Sequence, residues 1–192
     1  FNMKFIEALK KRRSYYKIDR DIPVSEDKIL ETINDAVHHV PDANNMQSQR
    51  VVVALGEHQD RLWDAVYDAF GGKVKREKID SFKSGYGTVL FYYDEKTVAS
   101  AMEKHPRYAE NYPIWANQSN GMLQHAIWVA LRSLGLGASL QHYNPVIDDA
   151  LRELFDVPED WVLLAQMPFG NILEEPAAKA KLELSERVKL FK

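Results

Sequence analysis

The sequence predicts an α+β domain. Three runs of β-branched and aromatic residues read as strands, and the segments between them carry helical apolar spacing. The two kinds of segment alternate too irregularly for a doubly wound parallel sheet. A length of 192 residues suits one domain with a sizeable core. That domain is expected to span Met3 to Lys192, with Phe1 and Asn2 an addition ahead of it, because no repeat, low-complexity tract or linker interrupts the chain.

Residues 4–13 read as a short helix with Phe5, Ile6 and Leu9 on one side and cations at its end. A second helix is expected to start at Ser25, a good N-cap, with Glu26 and Asp27 at the positive end of the helix dipole. Ile29, Ile33, Ala36, Val37 and Val40 then form its apolar stripe, and Pro41 stops it. Arg50 to Leu55 is the first strand. Leu62, Ala65, Val66, Ala69 and Phe70 mark an amphipathic helix ended by Gly71 and Gly72. Lys73 to Lys83 is rich in cations without an apolar period, which predicts a solvated, irregular segment. Thr88 to Tyr93 is the second strand. Pro113 suits the first turn of a long helix to Leu134, with Ile114, Gln118, Met122, His125 and Val129 along one side. Gly135 and Gly137 end it, and residues 138–142 look strand-like. Asn144 and Pro145 predict the start of a helix to Phe155, Trp161 to Met167 is the last strand, and the chain from Glu174 is a charged tail without a core of its own.

Composition removes several classes of function. Hydrophobic residues at 45% and charged residues at 28% place the chain in the globular range and away from disorder. The absence of cysteine excludes disulfides, iron–sulfur clusters and thiol nucleophiles. The histidines at 38, 39, 58, 105, 125 and 142 lack HxxxH or HExxH spacing, so no metal site is expected. His142 is the one placed near a ligand, and His125 is expected in a helix interface. Ser14, Ser84 and Ser139 lack the GxSxG context of a hydrolase. A net charge of −3 gives no global attraction to nucleic acid or an anionic membrane. No apolar run approaches the ~20 residues of a spanning helix. With no apolar stretch ahead of Lys10-Lys11-Arg12-Arg13, no signal peptide is read, and a cytoplasmic location is expected.

Five segments carry groups with chemical potential. Arg12-Arg13-Ser14 offers two guanidinium forks and a hydroxyl that suit a phosphate; the same cations also simply complement a helix dipole. Pro41 to Gln47 offers Asn and Gln amides that suit the edge of a heteroaromatic ring, and also reads as an ordinary Asn-rich turn. Gly135 to His142 lets backbone approach a flat ligand, or is a helix cap entering a strand; it is not a GxGxxG fingerprint. Arg187 and Lys189 sit in the charged tail. Tyr112 and Trp115, at the start of the long helix, either cover an apolar pocket or pack a helix end.

Taken in order, these segments resemble the FMN-dependent nitroreductase family over nearly the whole chain. Leu9 to Ser14 resembles its phosphate-binding stretch, and Pro41 to Gln47 its P-S-x-x-N-x-Q loop, with Asn45 and Gln47 on the Asn and Gln. GYGTVLFYYD, GLGASLQHYNP and the ending ERVKLF are similar to a compact bacterial and fungal branch that includes copper-inducible nitroreductases. The resemblance implies a mostly antiparallel sheet flanked by helices in an interlocked homodimer, with FMN at the interface and NADH or NADPH as electron donor. Nitro compounds, quinones or related small oxidants would be reduced by ping-pong hydride transfer. It gives Arg12, Arg13, Ser14, Arg187 and Lys189 to phosphate and ribityl oxygens, and Asn45, Gln47 and Lys83 to the ring edge or ribityl chain. Ser139, Leu140, Gln141 and His142 fall beside the ring, and Tyr112 and Trp115 in the substrate pocket. No protein nucleophile is required. Two positions depart: Asp42 replaces a serine, and Tyr16 falls where longer relatives place a flavin-holding lysine. Those departures, and the branch's link to stress and signalling, leave a flavin-binding regulatory protein with little turnover as the alternative.

Overall fold

The computed structural model describes residues 3–192; Phe1 and Asn2 lie outside them. In chain order the elements are α1 (Phe5–Lys11), β1 (Ile18–Asp19), α2 (Glu26–His39), β2 (Gln49–Leu55), α3 (Glu57–Ala69), α4 (Arg76–Lys83), β3 (Gly87–Asp94), α5 (Glu95–Lys104), α6 (Tyr112–Ser133), β4 (Leu136–Ala138), α7 (Asp148–Leu154) and β5 (Trp161–Ile172). The strands form one antiparallel sheet in the order β1-β5-β3-β2, with β4 also paired to β5. The α+β expectation is met.

Helices cover both faces of this sheet, which explains why the strands read as unbroken apolar runs. Val89 and Phe91 of β3 face α2 and α6, where Ile29, Ile33, Leu123, Ile127 and Leu131 pack. Leu90 and Tyr92 face the other way, toward Leu62, Trp63 and Val66 of α3, Ile79 and Phe82 of α4, and Leu151 of α7. This second layer encloses a closed polar chain. Trp63 Nε1–H donates to Thr88 Oγ1 at 2.9 Å, the Thr88 hydroxyl to Gln59 Oε1 at 2.6 Å, and Gln59 Nε2 to the Phe82 carbonyl at 3.0 Å. Such groups tolerate burial because each has a partner.

Several segments differ from expectation. The cation-rich stretch is not irregular: Ile79 and Phe82, three apart, bury one side of α4 against α3, and Arg76 and Lys83 both pair with Asp64. Asp94 caps an unforeseen helix, α5, by accepting the Lys96 N–H. The helix expected from Asn144 starts only at Asp148, because Asn144 Oδ1 accepts from Gln166 Nε2 instead of capping. In α1 the buried residue is Ala8, whereas Phe5 and Ile6 are exposed. In α6 the buried face includes Ala116, Asn120, Leu123 and Ile127, leaving Ile114, Gln118, Met122 and His125 exposed. His125 is therefore not in a helix interface of this chain. Val129 packs with Met3 and Ala8. The tail from Leu173 lies on the surface, with Leu182, Leu184, Val188, Leu190 and Phe191 all exposed.

Candidate functional site

The first group of polar residues forms where the end of α1 meets β4. Gly135, at φ +87°, reverses the chain after α6, a conformation that favours glycine. Gly137 then passes so close to Tyr15 that a Cβ would stand 2.7 Å from its side chain. The closeness lets the Tyr15 N–H donate to the Ala138 carbonyl at 3.0 Å, and Ser14 bridges Ala138 in parallel. Two of the sequence's candidate segments, Arg12 to Ser14 and residues 138–142, are thus side by side. Along the second, the N–H groups of Ser139 and Gln141 donate to β5 carbonyls. By strand alternation, the N–H groups of Leu140 and His142 point away from β5.

Arg12 is the charged centre of this group. Its guanidinium lies 4.3 Å from the ring centroid of Trp128, whose Nε1–H donates to the Ala138 carbonyl at 3.2 Å. Among the described residues no carboxylate pairs with Arg12. Burial, followed by the neighbouring charge of Arg13, lowers its pKa. Burial and then Arg12 lower that of His125. A bound anion would relieve this local excess of positive charge. Arg13 takes a different role here, donating to the Ala177 carbonyl at 2.6 Å and tying down the root of the tail.

The second group is the loop after α2. Asn44, Asn45 and Gln47 all have positive φ, at 48°, 53° and 56°. Asp42 holds the loop: Oδ1 accepts the Ala43 N–H, and Oδ2 accepts both the N–H and hydroxyl of Ser48. The replacement of serine by aspartate at 42 therefore serves the loop's own geometry. Asn44 Nδ2 donates to the hydroxyl of Tyr112, which is fully buried and stacked with His105. On one side of Asn44, a cleft of about 500 Å³ runs between Pro41–Asn44 and Trp115, Gln118, Ser119 and Met122 of α6. On its other side, a cavity of about 440 Å³ lies against α5. Asn45 and Gln47 line a third recess with His38 and Arg50.

Both groups border α6. Trp115, Gln118 and Met122 line the cleft, and Trp128 carries Arg12 a few turns further on. The remaining candidates lie elsewhere in this chain. Lys83 points to Asp64 at 2.9 Å on the α3–α4 layer. Tyr16 is exposed beside Glu174 and Glu175, and Arg187 and Lys189 are exposed in the tail. Trp128, the bond from Asn44 to Tyr112 and the capping role of Asp42 went unread in the sequence. The only signal for Trp128 is its place in the helix that leads to Gly135.

Comparison with known proteins agrees with this architecture. Residues 9–171 match the model of the nitroreductase family. The chain is 33% identical over 169 residues to the nitroreductase FRM2 of Saccharomyces cerevisiae, covering 86% of each. The nitroreductase CinD of Lactococcus lactis, solved in complex with chloramphenicol, superposes with a TM-score of 0.93 at 38% identity, covering 98% of this chain and 100% of that one. CinD has also been solved with 4-nitrophenol. A structure from Exiguobacterium sibiricum in complex with FMN has a TM-score of 0.72 at 15% identity over 98% of each chain, a likeness of fold.

Proposed function

This chain belongs to the nitroreductase family, and we propose that it holds FMN between two copies of itself and reduces small nitro compounds or quinones at the expense of NADH or NADPH. The observation that carries the reading is Arg12: partly buried, stacked on Trp128, without an acidic partner among the described residues, and next to Ser14 and the segment 138–142 that runs on from β4. A phosphate matches the uncompensated Arg12 guanidinium in charge and in hydrogen-bond geometry. The complexes of CinD with 4-nitrophenol and chloramphenicol, both nitro compounds, support the acceptor class.

The residues present fit the cofactor. Arg12 and Ser14 would hold its phosphate, the outward N–H groups of Leu140 and His142 would meet the ring edge, and the Asn45–Gln47 loop would supply amides at the other end. Bound FMN supplies hydride transfer in two alternating half-reactions. The chain's own part is to bind, orient and exclude water. Asp42 fixes the loop before any ligand arrives, so little ordering cost falls on binding. Trp115 and Met122 line an apolar wall of the cleft that suits a flat ring.

A second copy of the chain is the occupant proposed for the exposed apolar groups. Phe5 and Ile6 of α1, Ile114 and Met122 of α6, and Leu182, Leu184, Val188, Leu190 and Phe191 of the tail all stand exposed, and a second copy would cover them. The purified protein tests the reading. Its visible spectrum should show a flavin released as FMN, and it should oxidise NAD(P)H when 4-nitrophenol or a quinone is added. A protein that stays colourless in excess FMN would refute the cofactor. A yellow protein without turnover would favour the regulatory alternative.

A further inference from the structure

The cavity against α5 shares Asn45 with the loop proposed for the cofactor, but its α5 wall is given no part in holding FMN. Its walls are Asn44, Asn45 and Met46 on one side, Tyr112 and His105 at one end, and Lys96, Thr97, Ser100, Ala101 and Lys104 on the other. Lys96, Ser100 and Lys104 follow one another at intervals of four, so they share one face of α5. The acidic residues of the helix, Glu95 and Glu103, fall outside the lining, and no carboxylate contributes to it. Lys104 has no acidic partner among the described residues. Lys96 reaches Asp160 at 3.4 Å but remains largely exposed, a weak pairing that leaves its ammonium free to turn inward. The Thr97 hydroxyl is already spent on Asp94.

We propose that this cavity is a subsite for the anionic group, carboxylate or phosphate, of a molecule whose reacting end lies in the adjoining cleft. The inference rests on the function proposed above, since that reading places the reacting end there. Asn44 is the shared wall. Its amide is held by Tyr112, and it lines both the cleft and the cavity. A ligand passing Asn44 would leave the apolar surface of Trp115 and Met122 and enter a space of two ammonium groups, a histidine and a free serine hydroxyl. At about 440 Å³ the space lies within the range of small-molecule sites. An anion there gains charge-assisted hydrogen bonds, whereas a neutral analogue gains nothing from the lysines. The anionic group could come from the oxidised acceptor or from the ribose 2′-phosphate of NADPH; both present the same chemistry.

Two measurements on the whole protein test this, with a Lys96→Gln/Lys104→Gln variant as control. In the first, benzoate and then inorganic phosphate are titrated at low salt while backbone amide signals are followed. The expected result is saturable shifts at Ser100, Lys104 and His105 that are lost in the variant. In the second, kcat/KM is compared for 4-nitrobenzoate against nitrobenzene, and for NADPH against NADH. A fall of roughly 10-fold in the variant, confined to 4-nitrobenzoate, assigns the acceptor's carboxylate; one confined to NADPH assigns the donor's phosphate. The absence of shifts at these residues with either anion overturns the subsite, as does identical behaviour of both pairs in wild type and variant. Shifts in a protein that reduces neither acceptor would leave the anion subsite standing and remove the function it was joined to.

Discussion

Where α3, α4 and α7 cover the sheet, Trp63, Thr88 and Gln59 complete one another's hydrogen bonds, and Lys83 and Arg76 both find Asp64. Where α1 and the outer face of α6 lie, Arg12 has an aromatic ring but no acid, and Phe5, Ile6, Ile114 and Met122 stand in water. The first layer pairs most of its polar groups within the chain, the buried Tyr92 hydroxyl, Asp148 Oδ1 and Arg152 Nε excepted. The second keeps cations and apolar surface for something the chain does not contain. The contrast suggests that substitutions in the first layer change stability, and substitutions in the second change binding.

The largest effect should come from the closed layer. Trp63→Ala removes a fully buried indole and leaves Thr88 without its donor; it should cost about 3–5 kcal/mol of unfolding free energy. Chemical denaturation measures this, and a cost under about 1 kcal/mol would erase the contrast. On the open side, Arg12→Ala should leave unfolding nearly unchanged but weaken FMN by about 1.5–3 kcal/mol through lost charged hydrogen bonds. Riboflavin, without the phosphate, should lose much less; equal losses in fluorescence titrations would move Arg12 away from the phosphate.

Trp115→Ala sharpens the account of the cleft. Turnover with bulky quinones should rise a few-fold more than with small nitro compounds while FMN affinity holds, because Trp115 lines the apolar wall. Loss of FMN without a change of acceptor preference would make it a packing residue. The smallest effect is expected at Asp64. Hydrogen bonds from Arg76 and then Lys83 lower its pKa, so its contribution to stability is present above the ordinary carboxylate range and fades as the pH falls through its lowered value. Because the carboxylate is substantially exposed, Asp64→Asn should cost under about 1 kcal/mol at neutral pH and less at acid pH, as the carboxylate takes up its proton. Thermal melts at neutral and acid pH check the sign.

The same contrast explains what could be read before the structure. Strands buried on both faces announce themselves, so Arg50–Leu55, Thr88–Tyr93 and Trp161–Met167 were legible, as was the Ser25 cap, which accepts the Lys28 N–H. Helix α4 was not, because only Ile79 and Phe82 are buried in a run of charges, too few to set a period. Helix α5 hides for the same reason, with Val98 and Ala101 as its buried residues. On α6 the stripe through Ile114, Gln118, Met122 and His125 could be read from spacing, but spacing does not tell whether a stripe faces its own core or another molecule. Of the site, the pairing of Arg12–Ser14 with residues 138–142 depends on Gly137 and on the turn after α6, a long-range contact that no local pattern carries.

The central claim is that the open side is completed by a second copy and by FMN together. Sedimentation of the purified protein, followed at a protein wavelength and in the flavin band, tests it most directly. The account predicts a dimer whose flavin band sediments with it, across an interface of more than about 2,000 Å² that stays together while FMN is bound. A flavin-loaded species sedimenting as a monomer would contradict it.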